Sequence, residues 1–342
     1  MCPELGKQFS DFHPLENHNN LPGCFADIEP EFKLYQQGAF HTCVLANVSE
    51  HLNNVRNCMR GRVNHLVILI HGFQGNADKY QWVSRMMPKI LEADPRSNVG
   101  VLVVDWRKGA RQRFKTDMVY HQAAANTRYV GVATALVVKH LQAETIHCIG
   151  HSLGAHTCGF LGLAMQQDKE HVQTLDRITG LDPAGPLFLV TLDSQPLSNI
   201  TPDSRLDETD AIYVDILHTD GDMLGTMTRL GHTDFYGGAD SSMFGSDQAC
   251  CTPISCDHSE APSRFLATIT KYPGRLTTLT CTALSGITLE GCSTSDKTPE
   301  MGYFYNGSMP GIYGVLLTNP NNLGEYRNHD SIFTLSVQQY SF

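Results

Sequence analysis

The sequence predicts an α/β fold in which a mostly parallel central sheet carries helices on both faces. Two observations lead to this prediction. Continuous apolar runs rich in Val, Ile and Leu recur along the chain, and they alternate with segments of helical periodicity. Buried strands that alternate with helices are typical of parallel sheets covered on both sides.

The elements follow one another from residue 65 onward. HLVILI at 65–70 and VGVLVVDW at 99–106 are continuous apolar runs typical of buried strands, and helical spacing then covers 118–141. TIHCIG at 145–150 predicts a third buried strand, and HSLGAHTCGFLGLAM at 151–165 predicts a helix. RITGLDP at 177–183 predicts a strand and a turn, AIYVDILHT at 211–219 predicts a further strand, and 258–270 has a helical pattern.

The remaining segments suggest a single domain that spans residues 1–342. Residues 1–60 are rich in Asn, His, Pro and Cys, so we predict an entry segment tied down by disulfides. The tail at 302–342 predicts strand pairs joined by Gly turns. The sequence contains neither an internal repeat nor a low-complexity linker, and one catalytic domain accounts for its length.

Composition excludes several classes of partner. The formal net charge is −10 and the pI is about 5.8, which argues against a nucleic-acid partner and against strong attraction to anionic membranes. No apolar stretch approaches the length of a membrane-spanning helix. Any contact with lipid should therefore be local and apolar.

The eleven cysteines favour an oxidising compartment, because most of them lie in polar, loop-like stretches. Cys148 and Cys158 are exceptions that lie in strand-like and helix-like runs, and we predict that both are buried core thiols. Glycosylation sequons at Asn47, Asn199 and Asn306 also fit secretion. The first twenty residues have no apolar leader, so either a leader is missing from this chain or the protein is cytosolic; we favour secretion.

A candidate nucleophile lies in the sequence Gly150-His151-Ser152-Leu153-Gly154, which matches G-x-S-x-G. A buried strand runs directly into this motif and a helix of small residues leaves it, which is the setting of the nucleophile elbow in the α/β-hydrolase fold. The competing interpretation is a turn serine that caps the helix. The flanking pattern favours Ser152 as a nucleophile at a strained turn.

An oxyanion hole would need two backbone donors near Ser152. The sequence HGFQG at 71–75 follows the first buried strand and predicts a Gly-flanked turn there. The N–H of Phe73 and that of Leu153, the residue after the nucleophile, are the expected donors.

The acid and the base should follow Ser152 in that order. Asp182 comes directly after the strand at 177–181 and is followed by Pro183, whereas Asp176 precedes that strand and is the poorer candidate. Among the later histidines we favour His258, which begins a helical run just after a cysteine that could pin its loop. The other histidines considered are His218, His232 and His329.

With these residues assembled, the sequence resembles the pancreatic lipase family of animal lipases and phospholipases A1. Six blocks agree with that family in order over residues 60–295: HLVILIHGFQGN, VLVVDWRKGA, IHCIGHSLGAH, RITGLDPAGPLF, RLDETDAIYVDILHTD and GHTDFYGGAD. The resemblance implies Ser152, Asp182 and His258 as the catalytic triad. It also implies Phe73 and Leu153 as the oxyanion donors.

Two short loops distinguish this chain from the triacylglycerol lipases of the family. The family's lid lies between two cysteines before the catalytic histidine, and here only four or five residues separate Cys250 or Cys251 from Cys256. A second stretch, 221–230, has only ten residues. The family members with both loops cut down are phospholipases A1, so the resemblance implies that activity. The chain also ends before the family's C-terminal β-sandwich, and we expect no colipase.

The resemblance further implies a structural calcium site and two disulfides. RLDETD at 205–210 is similar to the family's calcium loop, with oxygens from Asp207, Asp210 and the Arg205 carbonyl. The competing interpretation is a solvated acidic turn. Cys281 pairs with Cys292 in the family, and Cys251 or Cys250 with Cys256.

The sequence therefore predicts a secreted serine esterase that acts on lipid at a membrane or lipoprotein surface and needs no cofactor for its chemistry. Phospholipase A1 is the favoured activity, and a triacylglycerol lipase or a general carboxylesterase is the alternative. A non-catalytic protein similar to insect yolk proteins is disfavoured, because all three triad residues are present.

Overall fold

The fold is described from a computed structural model of the protein. It covers residues 22–317 except 24, 39–42, 47–58, 60, 79–80, 112–118, 169–172, 192–194, 198–199, 239–255, 270–275, 286–287 and 295–297.

Ten strands form one sheet in the order β2-β1-β4-β3-β5-β6-β7-β8-β12-β9. The central strands from β4 to β12 are parallel, and the pairs at both ends are antiparallel. The strands are β1 Glu31–Gln36, β2 Cys43–Ala46, β3 His65–Ile70, β4 Val99–Asp105, β5 Thr145–His151, β6 Arg177–Leu181, β7 Tyr213–His218, β8 Thr233–Gly238, β9 Leu276–Thr280 and β12 Gly311–Leu317. A separate hairpin contains β10 Ala283–Ser285 and β11 Thr288–Glu290.

Helices cover both faces of the sheet, as predicted. The helices are α1 Phe25–Ile28, α2 Trp82–Ala93, α3 Arg107–Ala110, α4 Val119–Leu141, α5 Leu153–Gln167 and α6 Cys256–Ile269. Alternate residues of β3 belong to two different core clusters. Ile68 packs with residues of α4 and α5 on one face, and Leu69 packs with residues of α2 and α6 on the other. This arrangement confirms the α/β-hydrolase fold.

The central strands are the elements that the sequence predicts best. Every residue of β3 and β4 is buried, because a parallel strand with helices on both faces has no solvent side. No helix within the described residues combines the length and the apolarity needed to cross a bilayer.

The segment before residue 60 contributes two strands to the main sheet, which the sequence analysis did not predict. β1 pairs antiparallel with β4 on one side and with β2 on the other. Phe32 and Leu34 alternate with more exposed residues and enter the core. The predicted disulfides of residues 1–60 and the sequon at Asn47 lie outside the described residues.

Two disulfides are present among the described residues. Cys281 pairs with Cys292 next to the β10–β11 hairpin, as the family resemblance implied. Cys148 of β5 pairs with Cys158 of α5, so the prediction of two free core thiols was wrong. Both residues are buried as predicted, but α5 folds back against the strand that precedes it and brings the two sulfur atoms together. The predicted partner of Cys256, Cys251, is outside the described residues.

The segment at 301–317 is fastened to the amino-terminal ends of the central strands. The Arg177 guanidinium donates to the Asp215 carboxylate at 2.7 Å through two nitrogens. It also donates to the backbone oxygens of Gly302, Tyr303 and Tyr305 at 2.8–2.9 Å. Only β12 represents the strand pairs predicted for 302–342, because residues 318–342 lie outside the described part of the chain.

Candidate active site

The candidate site lies at the carboxyl ends of the central strands, where the strand order reverses. β3 has β4 on one side and β5 on the other, and such a switch point is where open α/β sheets form their binding crevices. Phe73 follows β3, Ser152 follows β5 and Asp182 follows β6. His258 reaches the same edge from the first turn of α6.

Ser152 occupies a strained turn between β5 and α5. Its φ is 58° and its ψ is −122°, a conformation that side chains rarely adopt outside functional sites. Gly150 and Gly154 allow this turn, because a Cβ on Gly150 would collide with the Gly154 oxygen and one on Gly154 would collide with the Ile70 oxygen. The Ser152 N–H donates to the Leu181 oxygen at 3.0 Å, which ties the turn to β6.

Asp182 and His258 are joined by a short hydrogen bond. The distance from His258 Nδ1 to Asp182 Oδ2 is 2.6 Å, and Asp182 is fully buried. The other carboxylate oxygen accepts the N–H groups of Thr219 at 2.7 Å and Asp220 at 3.2 Å. Because a carboxylate only accepts, His258 carries its proton on Nδ1 and leaves Nε2 free to take a proton from a nucleophile.

The residue before Ser152 is His151, and its ring contacts the ring of His258. The rings of His151 and His258 have centroids 4.6 Å apart. Within the described part of the chain, no hydrogen bond joins Ser152 Oγ to His258. Such bonds are often long in resting enzymes and tighten when substrate binds.

The two predicted oxyanion donors flank Ser152 from different elements. Leu153 is the first residue of α5, so its N–H has no acceptor inside the helix. Phe73 lies in the turn after β3, and its ring packs edge-on against Tyr120 at 5.2 Å. A Cβ added at Gly72 would lie 2.7 Å from the Ser152 Cβ, so this turn passes directly over the nucleophile.

Hydrogen bonds to residues that follow β4 hold the turn at 71–75 in place. The Trp106 indole N–H donates to the His71 oxygen at 2.7 Å, and the Trp106 backbone N–H donates to the His71 ring at 3.1 Å. The Gln74 N–H donates to the Ala110 oxygen at 3.1 Å. These bonds fix the backbone that presents the Phe73 N–H, as a preorganised oxyanion donor requires.

The other described residues considered as the base or the acid form hydrogen bonds away from Ser152. His218 is fully buried between the Thr226 oxygen and Asp234, and the His232 ring accepts the Val214 N–H. The Asp176 carboxylate accepts the Ile146 N–H. His329 is outside the described residues.

Sequence reasoning missed a second buried carboxyl group beside the candidate triad. Ligand atoms of Asp182, Asp220 and His258 all lie within 4.8 Å of one another. Burial, and then the nearby Asp182 carboxylate, raise the pKa of Asp220 to about 7. Asp220 could have been found from its position just after β7. Because β6 and β7 are parallel neighbours, the residues that follow them, Asp182 and Asp220, lie at the same edge of the sheet.

The predicted calcium loop forms a closed capping box. The Asp207 carboxylate accepts from Thr209 and from Arg205, and the Asp210 carboxylate accepts the Asp207 N–H at 2.8 Å. Calcium takes six to eight oxygen ligands, whereas these carboxylates are already engaged and an arginine lies 3.4 Å from one of them. The donor set as it stands does not fit a bound ion. Calcium stays a prediction, and the chemistry below does not use it.

This geometry can support acyl transfer. A strained serine, an aspartate–histidine pair and the two backbone N–H groups predicted as oxyanion donors lie at one edge of the sheet, and nucleophilic attack on an ester carbonyl requires these parts.

Comparison with known proteins agrees with this chemistry. The family model described as Lipase matches residues 5–310. Lipase member H from Xenopus tropicalis is 35% identical over 218 residues, which covers 60% of this chain and 41% of that protein. Phospholipase A1 2 from Polistes dominula is 36% identical over 253 residues, or 70% of this chain and 72% of that protein. The chain thus spans less than half the length of lipase member H.

Among solved structures, an esterase from Pyrobaculum calidifontis aligns with 47% of this chain and 59% of its own, at 14% identity and a TM-score of 0.31. The fold assignment therefore depends on the strand order and not on this likeness. The family match covers most of the chain and agrees with the six blocks of the sequence. The chain belongs to the Lipase family, of the pancreatic lipase type.

Proposed function

We propose that this protein hydrolyses lipid esters and is a phospholipase A1, which cleaves the sn-1 ester of glycerophospholipids. The observation that carries the proposal is the short connection between β7 and β8. A long flap at this place would cover the substrate groove, whereas a short one leaves room for a polar head group.

The connection is compact and pinned beside the candidate acid. The N–H groups of Met223 and Gly225 donate to the Asp220 oxygen at 3.3 and 2.9 Å, and the Leu224 N–H donates to the Asp220 carboxylate at 3.1 Å. The Leu224 oxygen accepts the Gly185 N–H at 2.9 Å, just after the acid. These bonds hold the loop as a tight turn, which argues against its acting as a flap.

The similarity to the wasp protein named phospholipase A1 2 supports the same activity, because it covers about 70% of both chains.

In the proposed mechanism, His258 Nε2 takes the proton of Ser152 Oγ as that oxygen bonds to the ester carbonyl carbon. The N–H groups of Phe73 and Leu153 stabilise the oxyanion, and Asp182 stabilises the imidazolium ion. The carbon–oxygen bond to the glycerol then breaks, and His258 gives its proton to the departing oxygen. Water repeats these steps on the acyl-enzyme and releases the fatty acid.

We also propose that the protein is secreted. Disulfides persist in oxidising compartments, and two are present among the described residues. The sequon at Asn306 is exposed, whereas Asn199 lies outside the described residues. A mass shift on enzymatic deglycosylation of protein from its native source would support this proposal, and an unmodified Asn306 peptide would remove the sequon from its support.

The test of activity compares fatty-acid release from phosphatidylcholine with distinct sn-1 and sn-2 chains, from triolein, and from a soluble short-chain ester. We expect release of the sn-1 chain to dominate. Dominant triolein hydrolysis would identify a triacylglycerol lipase and contradict the loop argument. Ser152→Ala should lose kcat on all three substrates, by a factor on the order of 10⁶, and should no longer react with a fluorophosphonate.

A further inference from the structure

The backbone of His258 has an unusual position in its helix. α6 begins at Cys256, and a proline, Pro262, lies inside it four residues after His258. In a regular helix the N–H of residue 262 would donate to the oxygen of residue 258. Proline has no N–H, and its ring also crowds that oxygen. The sequence therefore leaves the His258 carbonyl without its helical partner in a buried site, where an unpaired carbonyl is costly.

His151 supplies the missing donor. Its Nε2 lies 2.8 Å from the His258 oxygen, and its ring lies against the His258 ring with centroids 4.6 Å apart. Trp82 also lies edge-on to the His151 ring, with ring centroids 6.3 Å apart. One side chain thus contacts both the backbone and the ring of the candidate base.

The protonation state of His151 suits this task. A carbonyl oxygen only accepts, so Nε2 must carry a proton. Burial, and then the nearby His258, lower the pKa of His151 to about 3. The ring is therefore neutral when His258 becomes an imidazolium ion, and it adds no positive charge beside it.

We propose that His151 is a positioning residue for His258, which replaces the hydrogen bond that Pro262 removes from α6 and thereby fixes the ring of the catalytic base. This inference rests on the proposed role of His258. In this role His151 connects the end of β5 to the first turn of α6. The positions of the nucleophile, which follows β5, and of the base on α6 are thereby fixed relative to each other.

The experiment is a double-mutant cycle on hydrolysis of a soluble short-chain ester. His151→Phe keeps an aromatic ring but removes the donor, and Pro262→Ala restores a backbone N–H that can bond to the His258 oxygen. We expect His151→Phe to lower kcat by roughly 10- to 100-fold with little change in KM, since misplacement of a catalytic group by about 1 Å has effects of this size. In the Pro262→Ala background the same substitution should cost several-fold less.

Two further variants keep the test interpretable if His151→Phe is unstable. His151→Gln retains a side-chain N–H donor and should recover part of the lost kcat. His147→Phe alters another buried histidine of the same strand, whose Nε2 bonds to Thr179 Oγ1 at 2.8 Å. It reports the effect of destabilising β5 alone, and its kcat per fluorophosphonate-reactive site should stay near the unsubstituted value.

Equal losses of kcat for His151→Phe in both backgrounds, or an unchanged kcat, would overturn the positioning role. Failure of the catalytic roles proposed for Ser152 and His258 would look different. Ser152→Ala and His258→Ala would then retain turnover, whatever the result of the cycle.

Discussion

Asp220 should make the stability of this protein fall as pH rises from about 4 to 7. The residue is 1% exposed, and burial and the neighbouring Asp182 raise the pKa of its carboxyl group from 3.8 to about 7. Each unit of difference in pKa between the folded and unfolded chains changes the free energy of unfolding by about 1.4 kcal/mol. The whole shift of the Asp220 pKa therefore corresponds to about 4 kcal/mol.

The sign follows from proton binding. Between about pH 4 and pH 7 the folded chain keeps a proton on Asp220 that the unfolded chain has lost. The free energy of unfolding therefore decreases with pH in this window. The contribution of the neutral carboxyl is complete below pH 4 and is lost by about pH 7. Asp220→Asn keeps an oxygen to accept the Leu224 N–H but does not titrate, so it should remove this dependence.

The assay is equilibrium urea unfolding at pH 5 and pH 8 under non-reducing conditions. Between these two pH values we expect the free energy of unfolding to decrease by about 3 kcal/mol more in the unsubstituted protein than in Asp220→Asn. Asp222→Asn is the matched control, because it removes an exposed carboxylate from the same turn. It should leave most of the dependence in place, since Asp222 is only a minor cause of the raised Asp220 pKa. Parallel losses in the unsubstituted protein and in Asp220→Asn would refute the reasoning.

Three further predictions concern other contacts. A Cβ at Gly225 would lie 2.6 Å from both oxygens of Asp182, so Gly225→Ala should lower kcat by about 10-fold or more and stability by about 1–3 kcal/mol; an unchanged kcat would contradict this geometry. Replacing Cys148 and Cys158 together with Ala should lower the free energy of unfolding by about 2–5 kcal/mol, measured against urea; no loss would mean that the bridge is dispensable. Because the Asp210 loop is closed by its own hydrogen bonds, EDTA should leave the thermal midpoint unchanged, and a lower midpoint restored by calcium would instead support the ion predicted from the sequence.

The sequence was most informative where local pattern and tertiary environment agree. β3, β4 and β5 are mainly apolar because helices cover both of their faces, and their bounds match the predicted runs within one residue. The elbow at Ser152 was predictable for a related reason. Its glycines, its strand and its helix are contiguous in the chain, so a short window contains the whole feature.

Features made by distant segments were not predictable in the same way. β1 is short, and its place in the sheet depends on pairing with β4, some seventy residues later. The disulfide between Cys148 and Cys158 forms because α5 folds back against β5. The apolar sequence around each cysteine gives no sign of this contact. Asp220 joins the candidate site only because β6 and β7 are neighbours. The hydrogen bond from His151 to His258 spans 107 residues.

The Arg177 contacts bear on where the chain can be shortened. Removing everything after residue 300 would take away three carbonyl acceptors from a guanidinium whose side chain is only 11% exposed. It would also strip β8 of its parallel neighbour β12. A minimal folding unit must therefore run through Leu317, and protease resistance of that stretch would report that the amino-terminal ends of the strands, remote from the chemistry, are intact.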